Sequence, residues 1–358
     1  PVSSVEGIRH NVVITILGVD EVNTPAVIGG VDNGSVTEDI DPDGDGLLEI
    51  GGKLTISDVD AGETVFIGAT TQGFYGNVTI DTSGTWSYAA DNNLASIQAL
   101  ASGDIVSDTL QINSLDGTAH TVVITINGAD DATIIGGVDS GSVTEDVDPD
   151  GDGLLETSGR LTINDADAGE AVFVEAPSSG LYGTLTIDTV GDWSYAAENS
   201  LSAIQALAGG GVITDTLRVR SVDGTTHNVT IKINGADDAT VIGGDVTGSV
   251  TEDVDPDGDG LLEVNGSLTI SDPDAGDAVF IAATTQGVYG SFAVDTEGSW
   301  RYAADNSLAS VQGLDTGVSV TDTLTVSSVG GAKHNVMITI AGVNEAVANG
   351  DITISWVA

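Results

Sequence analysis

The sequence predicts an all-β fold in which several antiparallel β-sandwiches follow one another, and three observations carry that expectation. The segment GSVTEDIDPDGDGLLE begins at Gly34, and GSVTEDVDPDGDGLLE begins at Gly141 and Gly248, a register of 107 residues (141 − 34 = 248 − 141 = 107). Trp86, Trp193 and Trp300 keep the same interval. Within each interval, β-branched residues alternate with polar ones in short runs broken by Gly, Asn and Asp, the pattern of half-buried strands. A period of about a hundred residues is too long for a solenoid turn and matches one autonomous domain. The 358-residue chain is therefore expected to form a tandem array of three repeats, at 23–131, 132–238 and 239–345.

Taken in order, residues 1–22 come first. VSSVEGIRHNVVITILGVDE at 2–21 matches VSSVGGAKHNVMITIAGVNE at 326–345, so this stretch reads as the last hairpin of an upstream repeat. Such an orphan is loosely held, docks on the first repeat, or swaps into a neighbouring molecule. In the first repeat, strands are expected near Val36 and over 53–57, 64–67, 77–81, 85–89, 107–113 and 120–127. In the last of these, His120, Val122, Ile124 and Ile126 share one face, while Thr121, Val123 and Thr125 share the other. The equivalent strand at His227 keeps that phase, with Val229, Ile231 and Ile233 on the apolar side and Lys232 opposite. Seven short strands separated by turns indicate a sandwich of immunoglobulin or cadherin type. The only helical spacing is Leu94, Ile97, Leu100, with Asn92 and Asn93 placed as N-caps, so each repeat should carry one short helix. Residues 346–358 form a tail in which the match fades and Trp356 is a singleton.

Fifty-five acidic residues against eight basic ones leave a formal charge of −47, which repels nucleic acid and anionic membrane. Such an excess ordinarily accompanies disorder, but 40% of residues are hydrophobic and they alternate, so a packed core forms provided the charge is neutralised. The absence of cysteine removes disulfides and thiolate metal sites and leaves bound cations as the staple. No apolar run approaches the ~18 to 20 residues of a membrane span. The start at Pro1 carries no basic-then-apolar leader, and the chain reads as a piece of a longer protein.

The sharpest motif is DPDGDGLLE, which sets Asp41, Asp43, Asp45 and Glu49 in the first repeat, Asp148, Asp150, Asp152 and Glu156 in the second, and Asp255, Asp257, Asp259 and Glu263 in the third. Carboxylates at alternate positions, with Gly after the third, let a tight loop converge several hard oxygens on Ca²⁺, which accepts six to eight of them at ~2.3–2.6 Å. The opening D-x-D-x-D-G is that of an EF-hand loop. The bidentate Glu at its twelfth position is replaced by Gly52, Gly159 and Gly266, so the expectation is an EF-like loop between two strands, completed by the Glu at position nine. A single copy would read equally as a solvated acidic turn. Three copies, each crowding four carboxylates into nine residues, favour the cation. Magnesium prefers few protein ligands, and zinc lacks its Cys and clustered His here.

A second acidic set is dispersed. Each repeat has Glu-Asp before the loop (Glu38 and Asp39, Glu145 and Asp146, Glu252 and Asp253) and a D-x-D-A-G turn (Asp58 and Asp60, Asp165 and Asp167, Asp272 and Asp274). The junctions carry Asp20 and Glu21, Asp130 and Asp131, and Asp237 and Asp238.

The runs GSVTED, LTISDVDAG, YGNVTID, TWSYAADNNLASIQAL and HTVVITINGADD together resemble the VCBS repeat of giant bacterial surface proteins, a cadherin-like unit that recurs in RTX-type adhesins, over nearly all of the three repeats. The resemblance implies that linker acids, the D-x-D turn and the Glu near the first strand share calcium at the seam between repeats. The family's common Asn-Asp-Ala-Pro linker is replaced by GADDAT and GVDEVNTP.

Other residues read as structural. His10, His120, His227 and His334 occupy one equivalent strand start, and Trp86 with Tyr88, Trp193 with Tyr195 and Trp300 with Tyr302 lie at i and i+2 on one strand face, as core residues do. No nucleophile elbow, zinc-protease helix or phosphate loop is present. Lys53, Lys232 and Lys333 stand at unmatched places, against a repeated isopeptide staple. The expected function is that of a non-enzymatic, calcium-rigidified extender of a secreted or surface-anchored bacterial adhesin. Its partners would be the neighbouring repeats, and any cell-surface or glycan ligand would be met through other domains of the parent protein. The alternative makes the repeats themselves adhesive, towards carbohydrate or towards one another.

Overall fold

The computed structural model describes residues 2, 3, 5–7, 9–15, 22–255 and 257–344. The linker pair Asp20 and Glu21 and the tail 346–358 lie outside the described residues. The chain forms two compact units, one of Pro1–Ile135, Ile163–Val172 and Ser221–Thr225, the other of Gly136–Thr162, Phe173–Arg220 and Thr226–Ala358.

At the start, β1 (Val2–Ser3) pairs antiparallel with β2 (Arg9–His10). Among the described residues this is the only pairing of the expected hairpin. Val12, Val13 and Ile14 lie outside any strand and are exposed. The first repeat continues with β3 (Val27–Gly30), β4 (Asn33–Thr37), β5 (Leu47–Ser57), β6 (Ala69–Gln72), β7 (Gly76–Ile80), β8 (Thr85–Asp91), β9 (Ile105–Asn113) and β10 (Ala119–Asn127). The second has β11 (Ile134–Gly137), β12 (Ser140–Thr144), β13 (Leu154–Asn164), β14 (Ser178–Ser179), β15 (Gly183–Ile187), β16 (Asp192–Glu198), α1 (Ser202–Gln205), β17 (Val212–Arg220) and β18 (Thr226–Asn234). The third has β19 (Val241–Gly244), β20 (Thr247–Thr251), β21 (Leu261–Ser271), β22 (Ala283–Gln286), β23 (Gly290–Val294), β24 (Ser299–Asp305), α2 (Ala309–Gln312), β25 (Ser319–Ser327) and β26 (Lys333–Ala341).

Each repeat thus builds a five-stranded sheet, β3-β5-β8-β7-β6 in the first, and a three-stranded one, β4-β10-β9. All pairings in the first repeat are antiparallel except β4 with β10, which run parallel with Ile126 in register with Val36. Alternation explains the layers. Val78, Ile80, Trp86 and Tyr88 from one sheet meet Leu110, Ile112, Val122, Ile124 and Ile126 from the other in one buried cluster. The predicted phase of the 120–127 strand holds, with Val122, Ile124 and Ile126 fully buried. Trp86 fills the centre and donates its indole N–H to the Val31 carbonyl at 2.7 Å. A Cβ at Gly52 would stand 2.6 Å from the Trp86 ring, so glycine is required beneath it.

Three expectations need correction. Residues 64–67 are not a strand: Phe66 makes one isolated bridge to Ser114 after a turn in which Val65 N–H bonds the Glu63 carbonyl. Two edge strands, β3 and β6, were not anticipated, since VIGG and ATTQ lack the alternation that only a strand with one buried face must show. The short helix expected in every repeat is absent from the first, where residues 92–100 form turns, so Asn92 and Asn93 cap none. Leu201 and Leu308 hold the cap positions of α1 and α2 with no side-chain bond, and the first repeat closes the same turn through Ile97 N–H to the Leu94 carbonyl at 2.7 Å.

Candidate metal centres

The DPDGDG loop folds on its first aspartate. Asp41 accepts the backbone N–H of Gly44 at 2.8 Å and of Gly46 at 2.7 Å, and both glycines take positive φ, 76° and 86°. The copies repeat this, with Asp148 receiving Gly151 and Gly153, and Asp255 receiving Gly258 and Gly260. These bonds hold the Asp41 carboxyl below its ordinary range, while Asp41 and then Asp45 push Asp43 up. Asp41, Asp43 and Asp45 present one oxygen each within 4.8 Å of one another, as do Asp148, Asp150 and Asp152. Asp43, Asp45, Asp150, Asp152, Asp257 and Asp259 face solvent. The position-nine glutamates diverge. Glu49 sits in β5 in register with Ala89, Glu156 lines a cleft of about 440 Å³ with Asp150, and Glu263 is paired with Arg301.

The dispersed set behaves differently. In the D-x-D-A-G turn the first carboxylate accepts the N–H of the second aspartate, Asp58 from Asp60 at 2.8 Å, and Asp165 from Asp167 and Asp272 from Asp274 at 3.0 Å. Gly62, Gly169 and Gly276 close the turn with φ near the left-handed region, at 95°, 90° and 97°. Glu38, Glu145 and Glu252 follow the strand that pairs parallel with the last strand of the repeat, and each is fully buried.

In the first unit these pieces meet where the first repeat joins the second. Asp131 N–H donates to Asp167 at 2.8 Å, the Thr133 hydroxyl donates to Asp165, and Asp130 receives the Ser102 N–H at 3.1 Å. Ala168 N–H reaches the Ala99 carbonyl at 3.2 Å, a backbone bond from one repeat to the next. Asp130, Asp167 and Glu170 set one oxygen each within 4.8 Å. The second unit builds the same seam between the second and third repeats. Asp238 N–H donates to Asp274 at 2.8 Å, Asp237 receives Gly209 N–H at 2.8 Å, and Ala275 N–H reaches the Ala206 carbonyl at 3.3 Å. There Glu145, Asp238 and Asp274 converge within 4.8 Å.

The electrostatics of the seams are unfavourable as the protein alone supplies them. Burial, with Asp131, Asp39 and Asp167 adding like charge, pushes the Glu38 carboxyl up to about 7. Burial likewise raises Glu145, Asp131 and Asp238, each helped by neighbouring carboxylates. Among the described residues, nine buried side-chain polar atoms have no hydrogen-bond partner, and eight are carboxylate oxygens of this set: on Asp58, Glu63, Asp131, Glu145, Asp167, Asp238, Glu252 and Asp274. Orphaned buried oxygens of that kind are rare and costly. An all-oxygen, multiply charged donor set without Cys or His fits calcium and not zinc.

Several participants escaped the sequence reading. Glu63, Glu170 and Asp277 directly follow the D-x-D-A-G turn in all three copies, a signal that was available. Asp58, Asp60 and Glu63 cluster at the head of the first repeat. Asp39, Asp146 and Asp253 adopt positive φ near 60° and are held by side-chain amides, Asp39 by Asn92 at 2.8 Å and Gln98 at 3.1 Å. A separate trio, Asp108, Asp215 and Asp322, is buried for a structural reason. Asp108 accepts the N–H groups of Phe74, Tyr75 and Gly76 and the Tyr88 hydroxyl, all within 3.0 Å.

No family model matches the chain, and no curated protein does. Solved structures do. A fragment of mouse cadherin-23 (EC22-24) aligns over 89% of this chain and 99% of its own, at 15% identity and TM-score 0.43. A protocadherin gammaB7 EC3-6 structure covers 89% of this chain and 74% of its own, at 15% identity and TM-score 0.43. These are cadherin domains in tandem. The chain spans 49% of the protocadherin gammaB4 extracellular domain, to which it is 14% identical with TM-score 0.43.

Proposed function

We propose that this chain is a non-enzymatic, calcium-rigidified extender segment of a large secreted or surface-anchored adhesin, built from three VCBS-type repeats at 23–131, 132–238 and 239–345. The observation that carries the reading is the convergence of buried, partnerless carboxylate oxygens from consecutive repeats at each seam. Glu38, Asp131 and Asp167, with Asp130 and Asp165, are the ligands at one seam, and Glu145, Asp238 and Asp274, with Asp237 and Asp272, at the other. Bound calcium supplies the positive charge and hard Lewis acidity that these oxygens lack. The residues do the positioning. The turn glycines fold the D-x-D segment back, the linker N–H groups tie it to the preceding repeat, and burial of the glutamate excludes water from one side.

The DPDGDG loops are a second, solvent-facing class, already closed by backbone bonds to Asp41, Asp148 and Asp255. Extracellular calcium modules bind in the ~10⁻⁴ to 10⁻³ M range, so such a device rigidifies outside the cell and slackens inside it. Calcium at 100 times its dissociation constant adds about 2.7 kcal/mol per site. The melting temperature of the whole chain should rise, and its hydrodynamic radius become larger and better defined, on replacing chelator with millimolar calcium; unchanged values in both would defeat the reading.

A further inference from the structure

We propose that the two seams fill in order, the seam of the first unit taking calcium before that of the second, because Asp223 supplies a carboxylate to the one that Gly330 denies to the other. The inference rests on the calcium reading above and concerns how this chain grades its own joints. The core of each seam is matched between the two: Glu38 with Glu145, Asp131 with Asp238, Asp167 with Asp274. Beside the exchange of Glu170 for Asp277, which keeps a carboxylate, the difference in charge lies in the turn between the last two strands of the repeat. In the second repeat Asp223 is fixed there by the hydroxyls of Ser221 and Thr225, the latter at 2.7 Å. It faces the Thr133 hydroxyl that donates to Asp165 and stands close enough to bear on Glu170. The first repeat keeps the arrangement at Asp116, which receives Thr118 at 2.6 Å and the Ala26 N–H at 3.0 Å.

In the third repeat the equivalent residue is Gly330, and Ala332 replaces the bonding threonine. A Cβ built at Gly330 would stand 2.9 Å from Thr240 Oγ1, 3.1 Å from Asp277 Cβ and 3.2 Å from Asp272 Oδ2. A side chain at this position therefore grows against the acid cluster, and its charge is felt by any cation held there. Calcium affinity follows the number of charged groups around the ion, so the seam with the additional carboxylate is the tighter one. The partnerless, almost fully buried oxygens of Asp167 and Asp274 point to a ligand at both seams, which makes the difference one of degree.

Hydrogen-exchange mass spectrometry on the full chain across a calcium titration resolves the two seams, because the N–H groups around Asp131 and Asp238 report on each separately. Protection around residues 130–135 should appear at about tenfold lower calcium than around 237–242, a difference of about 1.4 kcal/mol. Gly330→Asp should draw the second midpoint towards the first, and Asp223→Asn, which retains an acceptor for the hydroxyls, should raise the first. Coincident or reversed midpoints in the wild type, or a second midpoint unmoved by Gly330→Asp, overturn the ordering while leaving calcium binding intact. Absence of any calcium-dependent protection at either seam overturns the calcium reading itself, and the ordering with it.

Discussion

At the residue scale, the seam glutamates and the structural aspartates show what separates a carboxylate that awaits a counter-ion from one that does not. Asp108 is as buried as Glu38, yet three N–H groups and a phenol surround it, and its bonds pin the turn that carries the exposed Phe74. Asp108→Ala strands all four donors and should cost about 3 kcal/mol in urea unfolding, with or without calcium. Glu38 has a thinner shell, the Gln98 amide at 3.1 Å and the Ala129 N–H at 3.4 Å, with carboxylates beyond it. It holds its proton up to about 7 when folded, against an ordinary value of 4.5, so its contribution in metal-free buffer is full below about pH 4.5 and is lost as pH rises through 7. Calcium favours the ionised form, so the trend reverses and stability falls on acidification. Melting temperatures measured against pH should therefore slope in opposite directions in chelator and in calcium, and Glu38→Gln should flatten the chelator curve.

At the scale of elements, two acidic turns of similar composition have different tasks. The DPDGDG loop closes on its own backbone, whereas the D-x-D-A-G turn offers oxygens to the preceding repeat. Asp41→Ala should cost about 1 kcal/mol already in chelator, because it removes an acceptor of two N–H groups, and should forfeit in addition what its own loop gains from calcium. Asp167→Asn should leave the chelator value unchanged or raised, by relieving like charge, and forfeit part of the gain in calcium. Differential scanning calorimetry distinguishes the two. Much of this was legible in the chain: the alternation around His120, the Trp86 core and the recurrence of Asp58 and Asp60 all point where the structure puts them. The ranking of the two turns was not. Motif density drew attention to the loop, and only burial and missing partners distinguish Asp167 and Glu145 from Asp43. The edge strands β3 and β6 were hidden for a related reason, since a strand paired on one side and half in water need not alternate.

At the scale of the whole molecule, a charge of −47 with three copies of each acidic turn makes sense if the medium supplies the balancing cations. The interval of 107 residues announced the repeats, but the compact units cut across it, because the turns at Ile163–Val172 and Ser221–Thr225 of the second repeat cluster with the first. Cohesion across the join is therefore built into the fold at Asp131, Asp167 and Ala168 before any ion is considered. On the proposed reading, the ion's task is to neutralise what that cohesion brings together. The most direct test is a crystal of the chain grown in calcium and measured for anomalous scattering. Ions should lie within ~2.3–2.6 Å of carboxylate oxygens of Glu38 and Asp167 at one seam and of Glu145 and Asp274 at the other; seams free of ions at saturating calcium would overturn the calcium reading.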